Sequence, residues 1–273
     1  MVASLDQIVA ATRHRVADAK RSADRREMER RAHEHVPRGF RRELGARGRF
    51  GPAVIAELKK ASPSRGLIRA NFDPEHLAQE LATAGAAALS VLTDEEFFQG
   101  SLENLRRASA STKLPCLRKD FIVDEFQLLE SRAHCADAIL LIVAVLSQAE
   151  LTALTRKSRA LGLDVLCEAH DEAELRRALD AGCDLIGINN RNLQTFRVDP
   201  QTAFRLAELI PKDAVSVAES GIDKGVDIAR LHGVGYRAFL IGESLMKAES
   251  PGEALRSLLA EAERERSQLT AQE

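Results

Sequence analysis

Glu57, Lys59, Lys119, Glu168, Asn189, Arg191 and Glu219 share a setting: each lies in or just past the end of a short apolar run of β-type composition. The runs are 54–58, 114–117, 165–167, 185–188 and 215–218. A buried parallel strand has no packing reason to finish in a charge. In a parallel barrel, however, all strand C-termini open on one face, where residues distant in sequence converge. Lysine in such a place pairs with an anionic group or donates a proton, and a buried glutamate accepts or relays one. Together these residue types offer acid and base catalysis on an anionic small molecule. Strand side chains alternate faces, so Glu57 and Lys59 point the same way, Lys119 follows Leu117, and Glu219 follows Val217 and Val215.

A second signal comes later in the chain. Ser220 and Gly221 follow the seventh apolar run, and Gly242, Glu243 and Ser244 follow the eighth. Barrels often hold a phosphate between these two loops and a short helix, where backbone N–H groups point at the anion and glycine removes the Cβ that would block its approach.

Positioning such a site requires a regular frame, and the chain supplies one. Strands are predicted near Val54, Ala87, Leu114, Ala138, Leu163, Leu185, Ala214 and Ala238, with helical segments between them. Asp73 and Pro74 head a helix over 75–84, Ser147 one over 148–161, and Asp199 with Pro200 one over 201–209. Gly85, Gly162, Gly182 and Gly233 fall where helices should stop. Eight alternations predict a (β/α)8 TIM barrel. The doubly wound alternative more often uses five or six strands. Before the barrel, Ser4 and Gln7 form a capping box, and Leu5, Ile8, Val9, Thr12, Val16 and Ala19 follow a helical period.

Composition narrows the function classes. With 273 residues, 45% hydrophobic and 29% charged, the chain suits one globular domain with appendages. A net charge of −2 offers no general attraction to nucleic acid or anionic membrane. Residues 1–50 carry 13 Lys or Arg against 7 Asp or Glu, but acids are interleaved and aromatics are scarce, which predicts a solvated helical face. No signal core or membrane-length apolar stretch is present, which predicts a cytoplasmic protein. Cys116, Cys135, Cys167 and Cys183 form no CxxC pair and read as small buried hydrophobes in a reducing compartment. The seven histidines lack ligand spacing, so no metal is expected.

At these residues the chain resembles the indole-3-glycerol phosphate synthase family. The strings that carry the resemblance are VIAELKKASPSRG, LSVLTDEEFFQGS, LRKDFIVDEFQ, LCEAHDEAEL, IGINNRNLQTF, VAESGI and FLIGESLM, in the family's order over residues 54 to 254. The resemblance implies ring closure with loss of CO2 and water, acting on 1-(2-carboxyphenylamino)-1-deoxyribulose 5-phosphate without metal or organic cofactor. It also implies Lys119 as general acid and Glu168 as catalytic carboxylate, with Glu57 and Lys59 assisting on the first strand. Asn189, Arg191, Glu219 and Ser220 complete the polar wall, Ser62 lies in the loop after the first strand, and Phe98 contacts the substrate's aromatic ring. Gly221, Gly242 and Glu243 are the expected phosphate contacts.

The expected organisation is a helical extension over residues 1–50 packing on the barrel mouth, a catalytic barrel over 51–265 and a fraying polar tail over 266–273. A monomer binding a phosphorylated small molecule, and neither nucleic acid nor membrane, is expected. Two other readings stay open on the residues alone. One is a sugar-phosphate isomerase or a Schiff-base aldolase using Lys119. The other is an interaction protein using Arg25, Arg26, Arg30 and Arg31.

Overall fold

The computed structural model describes residues 3–270. Eight parallel strands close into a barrel: β1 (Ala53–Leu58), β2 (Ala88–Leu92), β3 (Cys116–Lys119), β4 (Ala138–Ile142), β5 (Asp164–Ala169), β6 (Leu185–Asn189), β7 (Val215–Glu219) and β8 (Ala238–Ile241). Each strand pairs with its neighbours in sequence, and β8 closes on β1. Register then sets the mouth: Glu168 lies beside Gly187, Asn189 beside Glu219, and Glu219 beside Leu240.

Inward residues such as Ile55, Leu117, Leu140, Leu166 and Val217 fill the barrel, while the outward ones pack beneath the helices. Among them are α5 (Glu95–Phe98), α6 (Leu102–Ala110), α7 (Phe126–Ala133) and α11 (Gly225–Gly233), and several helices begin where a capping residue sits. Asp73 caps α4 (Pro74–Thr83) with proline in the first turn, and Ser147 caps α8 (Gln148–Ala160) through a capping box with Glu150. Asp171 caps α9 (Glu172–Asp180). One expectation shifts: Pro200, not Asp199, stands at the cap of α10 (Gln201–Leu206), with Asp199 Oδ1 accepting from the Gln201 N–H. Gly85, Gly162 and Gly182 take the left-handed conformation after their helices, but Gly233 is still helical and Gly235 makes that turn instead. The final helix α13 (Pro251–Thr270) takes in 266–270 of the expected polar tail, and 271–273 lie outside the described residues.

Residues 3–50 form α1 (Leu5–Ser22), α2 (Arg25–Glu34) and α3 (Phe40–Arg47). The expected capping box of α1 is present, and its Ile8, Thr12 and Val16 are buried. Only α1 lies at the mouth, where Leu5 and Ile8 reach the cavity. The third helix sits at the opposite end of the barrel. Phe40 and Leu44 pack there against Ala53, Ala138, Leu185, Val215 and Ala238, all at strand starts.

The basic face of this extension is solvated on α2, where Arg25, Arg30 and Arg31 pair with Glu29 and Glu27. Arg13, Lys20 and Arg21 of α1 and Arg47 of α3 are exposed as well, and two other arginines depart from the pattern. Arg15 binds Asp94 and Asp120, and Arg38 binds the buried Asp137. A second correction concerns sulfur: Cys167 and Cys183 form a disulfide with Cα atoms 6.4 Å apart, while Cys116 and Cys135 are free. Their lack of local spacing hid the pair, because the two residues become neighbours only when β5 and β6 adjoin. Among the described residues no helix is long and apolar enough to cross a membrane.

Candidate active site

A cavity of about 430 Å³ opens at the C-terminal ends of the strands, a size suited to a small organic molecule. Every sequence-predicted site residue lines it: Glu57, Lys59, Ser62, Phe98, Lys119, Glu168, Asn189, Arg191, Glu219, Ser220, Gly221, Gly242 and Glu243. The inward parity of the strand ends explains the convergence. Arg118, one residue before Lys119, points outward instead and is buried against Thr93, Asp120, Gln127 and Ser131.

The floor holds a compact charge cluster. Lys119 Nζ lies 3.2 Å from Glu168 Oε2 and 3.5 Å from Glu219 Oε2, while Lys59 Nζ lies 2.7 Å from Glu57 Oε1. Burial opposes the charge on Lys119, but Glu168, Glu219 and Glu57 outweigh it and push the ammonium well above the ordinary lysine value. Burial likewise opposes ionisation of Glu57, and Lys59 with Lys119 overcomes it.

Glu168 and Glu219 are pushed apart. Burial raises both, yet Lys119, His170 and Asn189 pull Glu168 far below the carboxylate range. For Glu219, burial and the adjacent negative Glu168 outweigh Lys119 and hold its carboxyl well above that range. The pair therefore keeps one proton near neutrality, and it resides mainly on Glu219. Glu219 Oε1 has no hydrogen-bond partner among the described residues.

Around the floor, the walls divide by polarity. Phe98 and Phe121 form a tilted pair with centroids 6.4 Å apart, facing the same space as Leu5, Ile8, Leu140 and Ile142. This apolar side fits an aryl ring. Across from it, Ser220 and Gly221 both take left-handed φ after β7, and a Cβ at Gly221 would lie 2.5 Å from Val198 Cγ1. Asn190 braces that turn by donating to the Ser220 carbonyl at 3.0 Å.

Glu243 opens α12 (Glu243–Lys247) among cations: Arg65 at 3.0 Å, Lys247 at 2.6 Å and Arg191 at 3.8 Å. Arg65 belongs to the loop after β1, which is folded by the short ribbon of Ala61–Ser62 against Gly66–Leu67. Asn189 accepts from the Arg191 N–H at 2.9 Å, fixing the end of β6.

A model of the indole-3-glycerol phosphate synthase family matches residues 5–258. The chain belongs to this family. It is 59% identical over 259 residues to the indole-3-glycerol phosphate synthase of Koribacter versatilis (strain Ellin345), covering 95% of this chain and all of that one. The corresponding protein of Polaromonas naphthalenivorans (strain CJ2) is 48% identical over 259 residues, covering 94% and 98%. Among solved structures, a mandelate oxidase with (S)-2-phenylpropionate superposes with a TM-score of 0.61 at 17% identity, covering 79% of this chain and 73% of the oxidase. KGPDC from Streptococcus mutans superposes at 0.60 with 12% identity, covering 78% and 98%. At these identities the superpositions speak for the barrel alone.

Sequence reasoning missed several groups that the geometry supplies. His170 Nε2 lies 3.3 Å from Glu168 Oε1, and the parity rule that joined Glu57 to Lys59 also places residues 168 and 170 on one face. Arg65 and Lys247 face the glycine loops, and Phe121 partners Phe98. Lys247 stands one helical turn after Glu243, a spacing that was open to sequence, whereas the place of Arg65 depends on the path of its loop. Among the described residues no cluster of His, Cys, Asp and Glu is arranged to hold a metal ion.

Proposed function

We propose that this cavity carries out the family's ring closure, with Lys119 as general acid and Glu168 as the catalytic carboxylate. The substrate is 1-(2-carboxyphenylamino)-1-deoxyribulose 5-phosphate, and the products are indole-3-glycerol phosphate, CO2 and water. Its aryl ring lies on the side of Phe98 and Phe121. Its phosphate lies by Ser220, Gly221 and Gly242, where Arg65, Arg191 and Lys247 outnumber the single Glu243. Gripping both ends folds a flexible chain so that its ring carbon meets its ketone, and remote binding energy is thereby used for positioning.

The observation that carries the reading is Lys119 held charged against the buried, ionised Glu168 at 3.2 Å, with the Glu219 carboxyl at 3.5 Å. A lysine that stays protonated is a loaded donor for the ketone oxygen. A Schiff-base lysine must be neutral to attack, so the same environment argues against the aldolase alternative. As the ketone oxygen takes its proton, the ring carbon bearing the carboxylate bonds to the ketone carbon. Departure of CO2 returns its bonding electrons to the benzene ring. The new hydroxyl then leaves as water while a carbon of the five-membered ring gives up a proton. Glu168, held ionised, suits acceptance of that proton, and Glu219, held protonated, suits donation to the leaving hydroxyl. Glu57 keeps Lys59 in place against the substrate, with Ser62 and Asn189 completing the polar wall.

Every group in this scheme comes from one chain, which supports action as a monomer, and a phosphorylated metabolite suits a cytoplasmic location. The helical extension serves as the cover of the mouth through α1. Lys119→Met tests the core of the scheme. The variant should fold and lose turnover by about 10² to 10⁴, the usual contribution of a general acid. With no Trp and one Tyr, the protein leaves product fluorescence unobscured for the assay. Turnover near wild type would remove Lys119 from the mechanism.

A further inference from the structure

On the far side of Glu168 from Lys119 lies a carboxylate that the ring closure does not use. Glu174, in the first turn of α9, accepts from the His170 backbone N–H at 2.8 Å and from its ring Nδ1 at 2.9 Å. The opposite ring nitrogen, Nε2, faces Glu168 Oε1 at 3.3 Å, while Lys119 holds Glu168 Oε2 at 3.2 Å. Charges thus alternate along one series of contacts: Glu174, His170, Glu168, Lys119. The His170 side chain is only 11% exposed and does not line the cavity.

We propose that His170 is a positioning residue whose imidazolium, fixed by Glu174, keeps Glu168 ionised and turned so that its second oxygen stays on Lys119. This rests on the reading that Glu168 is the catalytic carboxylate.

The geometry favours the charged ring. With Nδ1–H committed to Glu174, a neutral imidazole would present its Nε2 lone pair to a carboxylate oxygen; Nε2 makes no hydrogen bond among the described residues, so its 3.3 Å approach to Glu168 Oε1 is an ion-pair contact that only the imidazolium forms. Burial alone would lower the affinity of His170 for a proton, but Glu168 and Glu174 outweigh it and raise the group to about 10. Among the described residues His170 forms no other ion pair, and the like charge on the same carboxylate is Lys119, held on its other oxygen. The flanking strands bring Ile142, Gly187 and Ile188, Asn189 follows at the end of β6, and Arg177 of α9 donates to the Val143 carbonyl.

The consequence falls on the Glu168–Glu219 pair. Two buried carboxylates beside one lysine would compete for a single proton, and a fixed cation on the outer oxygen of Glu168 sends that proton to Glu219. His170 thereby assigns which acid is the base before the substrate arrives.

The test compares kcat and KM across pH for His170→Gln, which keeps an N–H donor without the charge, and His170→Lys, which keeps the charge. Loss of a cation within contact distance raises a carboxylate by about one to three pH units, so the acid limb of kcat in His170→Gln should move up by that amount with KM little changed. His170→Lys should restore the limb toward its wild-type position. A merely structural histidine would lower stability in both variants and leave the limb where it was, which would overturn the proposal. Glu168→Gln serves as the control. If it keeps full turnover, both readings fall, whereas an inactive Glu168→Gln beside an unchanged His170→Gln profile removes the positioning role alone. Should neither His170 variant fold, NMR of the wild-type imidazole decides. A ring doubly protonated through neutral pH supports the proposal, and one that titrates near the ordinary value of about 6.5 overturns it.

Discussion

A Cβ added to Gly187 would collide with Glu219 Oε1, and one added to Gly242 would come within 2.5 Å of Glu57 Oε1. Two strand-end carboxylates therefore occupy space that neighbouring residues leave empty. Gly242 was expected only as a backbone approach for phosphate, and its role beside Glu57 was invisible in sequence because cross-barrel packing has no local signature. The buried carboxyl of Glu219 also has a thermodynamic signature. Its folded pKa is raised above the unfolded value, so this group's contribution to stability is full below the unfolded pKa and is lost as pH rises to the folded pKa. Glu219→Gln imitates the protonated form and escapes that decline. The variant should melt a few degrees higher than wild type at neutral and alkaline pH, where about 1 kcal/mol is worth about 2–4 °C for a chain of this size. At acid pH the two should match, and turnover of the variant should be low. Thermal melts over pH check this, and a variant less stable than wild type above neutrality would mean that Glu219 is ionised in the folded protein.

Between single residues and the barrel stand the elements that hold the aromatic wall. Arg15 of α1 reaches Asp94 at 2.9 Å and Asp120 at 3.3 Å. Asp94 accepts from the Phe97 N–H and heads the turn bearing Phe98, while Asp120 accepts from the Phe121 N–H. One guanidinium thus joins the cover helix to both rings. Exposed ion pairs contribute little, but both aspartates here are 1% exposed, and their geometry sets where the rings stand. Arg15→Met should leave kcat largely intact and raise KM about tenfold, the equivalent of ~1.4 kcal/mol of lost binding. Steady-state kinetics would show it, and an unchanged KM would reduce the latch to a surface pair. The amphipathic period and capping box of α1 were legible in sequence, as were the strands and the charges at their ends, because periodicity and parity are local. The latch was not, since Asp94 lies 79 residues from Arg15. The same holds for Arg38, whose partner Asp137 is 99 residues away, and for the Cys167–Cys183 disulfide.

The extension as a whole touches both ends of the barrel, and the two ends do different work. At the mouth, α1 contributes to the cavity wall. At the other end, Phe40 and Leu44 of α3 are fully buried beneath the first residues of the strands. Arg38 donates to both oxygens of Asp137 and to the Ser109 and Thr112 carbonyls, and the Arg41 N–H donates to Asp164 at the start of β5. Barrels generally separate activity at the strand C-termini from stability at the N-termini. In this molecule residues 3–50 serve both, so their effects should divide by helix. Phe40→Ala removes a buried ring from the closed end and should cost about 3–5 kcal/mol of stability. Its kcat and KM, measured well below its melting temperature, should match wild type, because no catalytic group moves. Arg15→Met should show the reverse, altered KM with a small change in melting. If Phe40→Ala instead lowered kcat in fully folded protein, packing at the base would be transmitted along the strands to Lys119 and Glu168, and the two ends would have to be treated as one unit.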